Sequence, residues 1–454
     1  MSSPLADALS AQVQGPVLVP GAAGYDDEVA AFNLSVPIRP DVVVGATGVD
    51  DVVTAVRLAR EHRVPLRVQA TGHGAERPLT SGVLVTTRRL DDVVVDAATR
   101  TATVGAGVRW AAVVERTAEH GLVPVVGSSS NVGVVGFLLG GGLGPLARSH
   151  GFGSDRLVSA TVVTGTGEVV EADDGEHADL LWALRGGNAV PGVVVAVRIA
   201  LVEVPDLYAG SVVFDTPHVA TALRGWLEWT AGADDLTTTS AAVVRMPPID
   251  VVPEPLRGRT VLSVRFARPG SAEDGERAAA PLRALAPALL DGLGPLPARD
   301  SDRIHGDPTT PAPVWTGGAG LAHVRDGFGD AWLDAVGPDA DQPFVAVELR
   351  HVAAPVSASA ARTTGQDAVA GRDAAFTLGL VTVGPEAAGV GPGAAERVLS
   401  AVAPWLADEA NPNMSGGLPG RWRPDVAARL DAVRRRYDPD DLLGSHAPEP
   451  VGVG

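Results

Sequence analysis

The chain has no cysteine and no lysine. The first absence removes disulfides, thiolate nucleophiles and Cys-ligated zinc together. The second removes any mechanism that forms a Schiff base on lysine. All 36 basic side chains are therefore arginines, and with the excess of Ala, Gly, Val and Asp they point to a high-GC, bacterial coding background. Tyrosine occurs only at positions 25, 208 and 437, so few phenols are available for proton transfer. No apolar run approaches the ~20 residues of a membrane span. Residues 1–14 lack the basic stretch and apolar run of a secretory signal, so a cytoplasmic protein without a membrane partner is expected. A net charge of −18 repels polyanions and argues against nucleic acid as a partner. None of the ten histidines stands in a His-Glu-x-x-His spacing, and no metal site is expected.

What remains is a soluble composition, 45% hydrophobic and 20% charged over 454 residues, enough for two or three domains. The valines at 42–44 read as a buried strand. Val53, Val56 and Ala59 recur at helical spacing after an expected N-cap at Asp50. Short β-branched runs at 66–68, 83–85, 93–95, 101–104 and 157–164 read as strands, with 168–171 as a hairpin partner of the last. Gly105-Ala106-Gly107 opens like a dinucleotide fingerprint, but Trp110 occupies the place of its third glycine.

Two stretches carry the chemistry. The run 66–68 breaks into Gln69-Ala70-Thr71-Gly72-His73-Gly74, a side-chain-poor turn whose N–H groups can receive a bulky anion with one histidine projecting at it. Residues 126–144 then hold seven glycines interleaved with Val and Leu. The apolar positions demand burial, so the run is no linker; its backbone winds closely along something flat or narrow.

The Gly-His-Gly loop, the glycine run, Ser154-Asp155-Arg156-Leu157 and Leu181-Trp182-Ala183-Leu184-Arg185-Gly186-Gly187 occur in an order that resembles the FAD-binding region of the vanillyl-alcohol-oxidase superfamily, berberine-bridge-enzyme-like branch. The resemblance covers about 38–205 and returns with Arg436-Tyr437-Asp438-Pro439. It implies an α+β protein with a PCMH-type FAD-binding domain of two α/β subdomains, built from both chain ends, and a substrate domain whose antiparallel sheet is covered by helices. The expected divisions are 1–35 as an N-terminal approach segment, 36–206 for FAD, 207–396 for substrate, and 397–454 as the return. By the resemblance His73 bonds covalently to the flavin. Arg67, Ala70, Thr71, Gly72, Gly74, Val126, Gly127, Ser128, Ser129, Gly133, Gly136, Gly140, Gly141, Gly142, Gly144, Gly192 and Val194 would line it. Ser129 stands where many relatives place a second, cysteinyl link, so attachment here would be single. Residues 186–195 depart from the family pattern near the adenine end. Asn411-Pro412-Asn413 replaces the usual Tyr-x-Asn-Tyr, which puts the catalytic base in doubt.

Beyond residue 206, strands are expected at 211–214, 241–245, 261–266, 344–349 and 375–383, with helices near 219–230 and 278–290. The proline-rich 308–313 reads as a loop or lid. In 347–351, alternation places Glu348 and Arg350 on one face and Leu349 and His351 on the other. That face meets either substrate or water. Glu348 or His351 is the candidate base, Arg350 a polar neighbour, and Asn411 and Asn413 candidates to orient substrate. The expected activity is hydride transfer from a hydroxyl- or amine-bearing carbon of a small molecule to FAD, with molecular oxygen as acceptor. The enzyme would be a monomer or homodimer. A flavin-containing cyclase or dehydratase of secondary metabolism, a degenerate flavin carrier and a nicotinamide dehydrogenase are the alternatives.

Overall fold

The computed structural model describes residues 4–188, 191–353, 367–416 and 422–444. Its first layer is a four-stranded sheet in the order Val17–Leu18, Val42–Gly45, Val83–Thr86, Leu66–Gln69, the last three parallel. Every residue of Val42–Gly45 and Val83–Thr86 is buried, as parallel strands covered on both faces require. The crossover helix Val49–His62 presses Val52, Ala55, Val56 and Ala59 onto that core. Its N-cap is Gly48 rather than Asp50. The acid that matters is Asp51, which accepts from the amides of Gln14, Gly15 and Thr47 at 2.7, 3.1 and 2.9 Å. These bonds tie in the approach segment, whose helix Pro4–Gln12 adds Leu5, Ala6 and Leu9 to the same core.

The second layer is an antiparallel sheet, Val93–Asp96, Thr101–Gly105, Gly192–Ala200, Leu157–Thr164, Val169–Ala172. The helix Pro424–Tyr437 packs Leu430, Val433 and Tyr437 into its core. Gly105 and Gly107 are small for packing reasons. A Cβ on either would overlap the carbonyl oxygens of Leu90 and Thr87.

The third sheet has eight antiparallel strands. Its main path runs Ala288–Asp291, Leu207–Phe214, Thr260–Pro269, Thr238–Arg245, Ala346–His351, Phe376–Val383, Val314–Leu321. Helices Val219–Thr230, Ala272–Arg283, Phe328–Val336 and Ala387–Ala401 supply Leu223, Trp226, Leu282, Trp332 and Val398 to a core shared with Phe266, Leu349 and Leu378 of the sheet. The helix expected over 278–290 starts earlier and stops at Arg283, and Ala288–Asp291 pairs at the sheet edge instead. Strand Val314–Leu321 escaped the pattern because Gly317, Gly318 and Gly320 interrupt it. Those last two glycines allow the carbonyls of Leu378, Met414 and Glu409 to approach. The helix Ala387–Ala401 spans the expected division at 396 and stays with the third sheet.

Candidate active site

Two loops meet where the first two layers adjoin. One is 70–74, leaving strand Leu66–Gln69. The other is 126–133, entering the short helix Val134–Leu139. A Cβ on Gly133 would lie 3.4 Å from Thr71 Cγ2, so the loops are in contact. Among the described residues, the amides of Thr71, Gly72, His73 and Gly74 and of Gly127, Ser128, Ser129 and Ser130 donate to no protein acceptor. Added side chains on Gly74 and Gly136 would meet nothing within 4 Å. A double row of unclaimed donors beside open glycines fits the pyrophosphate of a dinucleotide cofactor.

His73 sits in this cradle. Its ring stacks on Phe32 with centroids 3.7 Å apart and planes at 12°, and Nδ1 lies 2.8 Å from Thr71 Oγ1. Burial, assisted by the charge of Arg109, lowers its pKa to about 4. The imidazole is therefore neutral near pH 7, with Nδ1 engaged and Nε2 free.

The other residues named from sequence are placed as follows. Arg67 does not reach the loop cradle; its Nη1 donates to the carbonyls of Arg77 and Pro78 at 2.7 and 3.1 Å. Ser128 donates to Asp307 at 2.6 Å, Ser130 to Asp302 at 2.7 Å, and Asn131 to the carbonyl of Thr309 at 3.0 Å. The segment 302–309 of the third-sheet domain thus clasps the second loop, and the proline-rich stretch is fastened again where Ala312 bridges Asn33. Val126 and Gly144 pack backbone to backbone, since a Cβ on Gly144 would overlap Val126 O. Gly140 and Gly141 face the side chains of Asn413 and Asn411. Asn413 Oδ1 accepts from Gly142 N at 2.7 Å, and Asn411 Oδ1 accepts from Asn413 N at 3.1 Å as the cap of helix Pro412–Ser415. Asn413 therefore grips the glycine run, and Asn411 stands behind it with its own Nδ2 buried and unpartnered among the described residues. Gly192 and Val194 lie within strand Gly192–Ala200, with Val194 in the core. Ala189 and Val190, in the stretch that departs from the family pattern, lie outside the described residues.

Above the glycine run stands the polar face of the third sheet. Glu348 Oε1 accepts from Arg265 Nη1 at 2.9 Å and Glu348 Oε2 from Arg350 Nε at 2.8 Å. The three side chains are only 12–14% exposed, so Glu348 and Arg350 do not lie on a solvated face. Burial opposes ionisation of Glu348, but Arg350 and Arg265 outweigh it and hold the carboxyl well below its usual range. His305 Nε2 lies 3.4 Å from Glu348 Oε1. Burial, then Arg265, lowers its pKa and keeps it neutral. A narrow cleft with about 20 Å³ of room for a water-sized sphere is lined by Gly144, Pro145, Ser240, Arg265, His305 and Arg350 among others. Ser240 Oγ, Arg265 Nε and both ring nitrogens of His305 have no hydrogen-bond partner among the described residues. His351 alternates to the other side of its strand, although it too borders the cleft. It stacks on Phe376 at 4.8 Å, and burial, with Arg148, lowers its pKa to about 3.

His305 and Arg265 were not legible beforehand. The only signal at His305 was its place between acids in Ser301-Asp302-Arg303-Ile304-His305-Gly306-Asp307. Arg265 follows from alternation with the buried Val264 and Phe266, but its partner depends on strand order.

Comparison with known proteins agrees with this geometry. Residues 40–173 match the FAD binding domain family. The chain is 28% identical to (R)-6-hydroxynicotine oxidase of Paenarthrobacter nicotinovorans over 336 residues, covering 74% of this chain and 69% of that enzyme. It shares its fold with a carbohydrate oxidase from Microdochium nivale, at a TM-score of 0.82, 19% identity and 99% coverage of both chains. It also shares it with the BBE-like 1 protein of Physcomitrella patens, at a TM-score of 0.81, 17% identity and complete coverage of both.

Proposed function

From the premise that this chain is an FAD-dependent oxidoreductase of the PCMH-type vanillyl-alcohol-oxidase superfamily, with berberine-bridge-enzyme-like relatives, we propose that it is an oxidase of a small molecule bearing a hydroxyl or amine on the reacting carbon. Bound FAD supplies the hydride acceptor, and molecular oxygen regenerates it with release of hydrogen peroxide. The loops 70–74 and 126–133 would hold FAD through their unclaimed amides. His73 carries a single covalent link through Nε2. The observation that carries this reading is the neutral imidazole, held by Thr71 and Phe32, inside the double row of free donors. A protonated ring would have no lone pair with which to form the bond.

The substrate lies between the glycine run and the polar face of the third sheet. There Asn413 holds the backbone of the run at Gly142, and Asn411 caps the turn that carries Asn413. Glu348, locked between two guanidiniums, is a weak base. Neutral His305 takes the substrate proton, and Glu348 at 3.4 Å stabilises the resulting imidazolium.

The test is the visible spectrum before and after acid precipitation. The expected result is yellow colour that stays with the pellet and leaves it in a His73→Ala variant. Colour released from the wild-type pellet refutes the covalent link. A colourless protein that takes up no FAD refutes the oxidase. One observation favours a second reading, a cyclase or dehydratase without net oxidation. The three tyrosines are engaged elsewhere: Tyr25 with Pro40 O, Tyr208 with Glu276 and Tyr437 with Asp179. Product formation without oxygen consumption selects that reading.

A further inference from the structure

The charged cluster over the glycine run is unevenly balanced. Two guanidiniums, Arg265 and Arg350, share the single carboxylate of Glu348, and the neighbouring His305 is neutral. One positive charge is left without a counter-charge in the cluster, on side chains 12–14% exposed. The donors are also unevenly used. Arg350 gives only Nε to Glu348, and among the described residues neither terminal nitrogen meets a protein acceptor. Arg265 gives only Nη1, and its Nε is buried without a partner. Ser240 Oγ and His305, unpartnered as well, line the same cleft, whose other wall is Leu143, Gly144 and Pro145 of the glycine run.

A buried donor without a partner, such as Arg265 Nε, is costly, and native proteins leave such donors unmatched chiefly where something else completes them; the terminal nitrogens of Arg350 open to the cleft. A guanidinium fork with its terminal nitrogens free matches a carboxylate in shape and charge. A protonated amine in the same place would meet the excess positive charge of the two guanidiniums. We propose that the substrate carries a carboxylate, received by Arg350 and Arg265, next to the hydroxyl-bearing carbon that is oxidised. This deepens the oxidase reading and rests on it. The substrate class becomes a hydroxy acid. In the reaction the hydroxyl proton passes to His305 and the hydride of the same carbon to FAD, so C–OH becomes C=O while the carboxylate is unchanged. Glu348 is then a positioning residue. It fixes the two guanidiniums in register while leaving their outer nitrogens to the ligand.

The test uses three probes that share a hydroxyl-bearing carbon and differ in charge: lactate, lactamide and 1-amino-2-propanol. Each is titrated into the purified flavoprotein at constant ionic strength. Melting temperature and the flavin difference spectrum are read together. We expect lactate to saturate at least about tenfold tighter than lactamide, in line with charge-assisted bidentate pairing, and 1-amino-2-propanol to cause no shift. In Arg350→Gln, lactate binding should fall to the lactamide level. Arg350→Lys, which keeps the charge and protects the fold should the glutamine variant misfold, should weaken lactate yet still prefer it to the amine. The inference is overturned by equal binding of lactamide or the amine, by lactate binding unchanged in Arg350→Gln, or by no binding of any probe. The melting readout does not need the flavin. A colourless protein therefore refutes the oxidase reading separately, and the three probes still decide the charge of the site.

Discussion

Replacing Glu348 with glutamine keeps the shape of the side chain and removes only its charge. In the folded protein that charge holds Arg265 at 2.9 Å and Arg350 at 2.8 Å, with all three side chains at most 14% exposed. The amide offers one acceptor where the carboxylate offers two, and its NH₂ group turns toward a guanidinium. Breaking a buried pair by removing one partner costs about 3–5 kcal/mol, because the orphaned charge stays buried. The same change on a solvated face costs about 0–1 kcal/mol. For a domain of this size the larger loss corresponds to a fall in melting temperature of roughly 6–20 °C. The assay is urea or thermal unfolding followed by circular dichroism. The double variant Glu348→Gln/Arg350→Met serves as a control, because it also removes one of the buried cations and should recover part of the loss. The folded-state pKa of Glu348 is depressed, so its stabilisation is complete above the unfolded value and is lost as pH falls through the folded one. The gap between wild type and variant should accordingly stay constant from pH 5 to 8 and close only in stronger acid. A variant within about 1 kcal/mol of wild type at pH 7 would show that the cluster is solvated.

Three further outcomes follow from the same structure. Gly144→Ala drives a Cβ into Val126 O, backbone against backbone, so it should cost about 1–3 kcal/mol or more and lower FAD retention, read by melting and by flavin content after gel filtration. Asp367, buried beside Arg372 and Asp155, has a pKa raised by burial, so its ionised form weakens the fold as pH rises through that region. Asp367→Asn should therefore match or exceed wild-type stability at pH 7 and lose any advantage in acid. A clear loss at pH 7 would mean that the bond to Arg372 outweighs the burial. Thr71→Val removes the 2.8 Å partner of His73 Nδ1 and should slow covalent flavin incorporation, followed as acid-stable yellow colour, while shifting stability by no more than about 1 kcal/mol.

The flavin half of the molecule was legible because its signals are local. A strand leaving its sheet into Gly-His-Gly lets a ligand approach the backbone, and glycines mark where backbones approach one another closely. The strands at 42–45, 66–69, 83–86 and 157–164 follow from continuous or β-branched apolar runs. The third-sheet half was legible only as alternation. Period 2 places Glu348 and Arg350 on one face and His351 on the other. It does not say which strand lies beside them, and the glycine-broken strand Val314–Leu321 and the edge strand Ala288–Asp291 escaped it altogether.

The sequence by itself determined the cofactor class, the histidine between two glycines of the loop after strand Leu66–Gln69, and the exclusion of cysteinyl attachment and of lysine chemistry. Each follows from residue identity or from contacts within a few positions. Only the tertiary structure decided that Arg265, His305 and Glu348 form one cluster, though they stand far apart in the chain. Only it showed that Asn413 holds the glycine run. Those pairings depend on strand order and on how the third sheet sits over the loops. They come from burial summed over the whole fold, which no local pattern records.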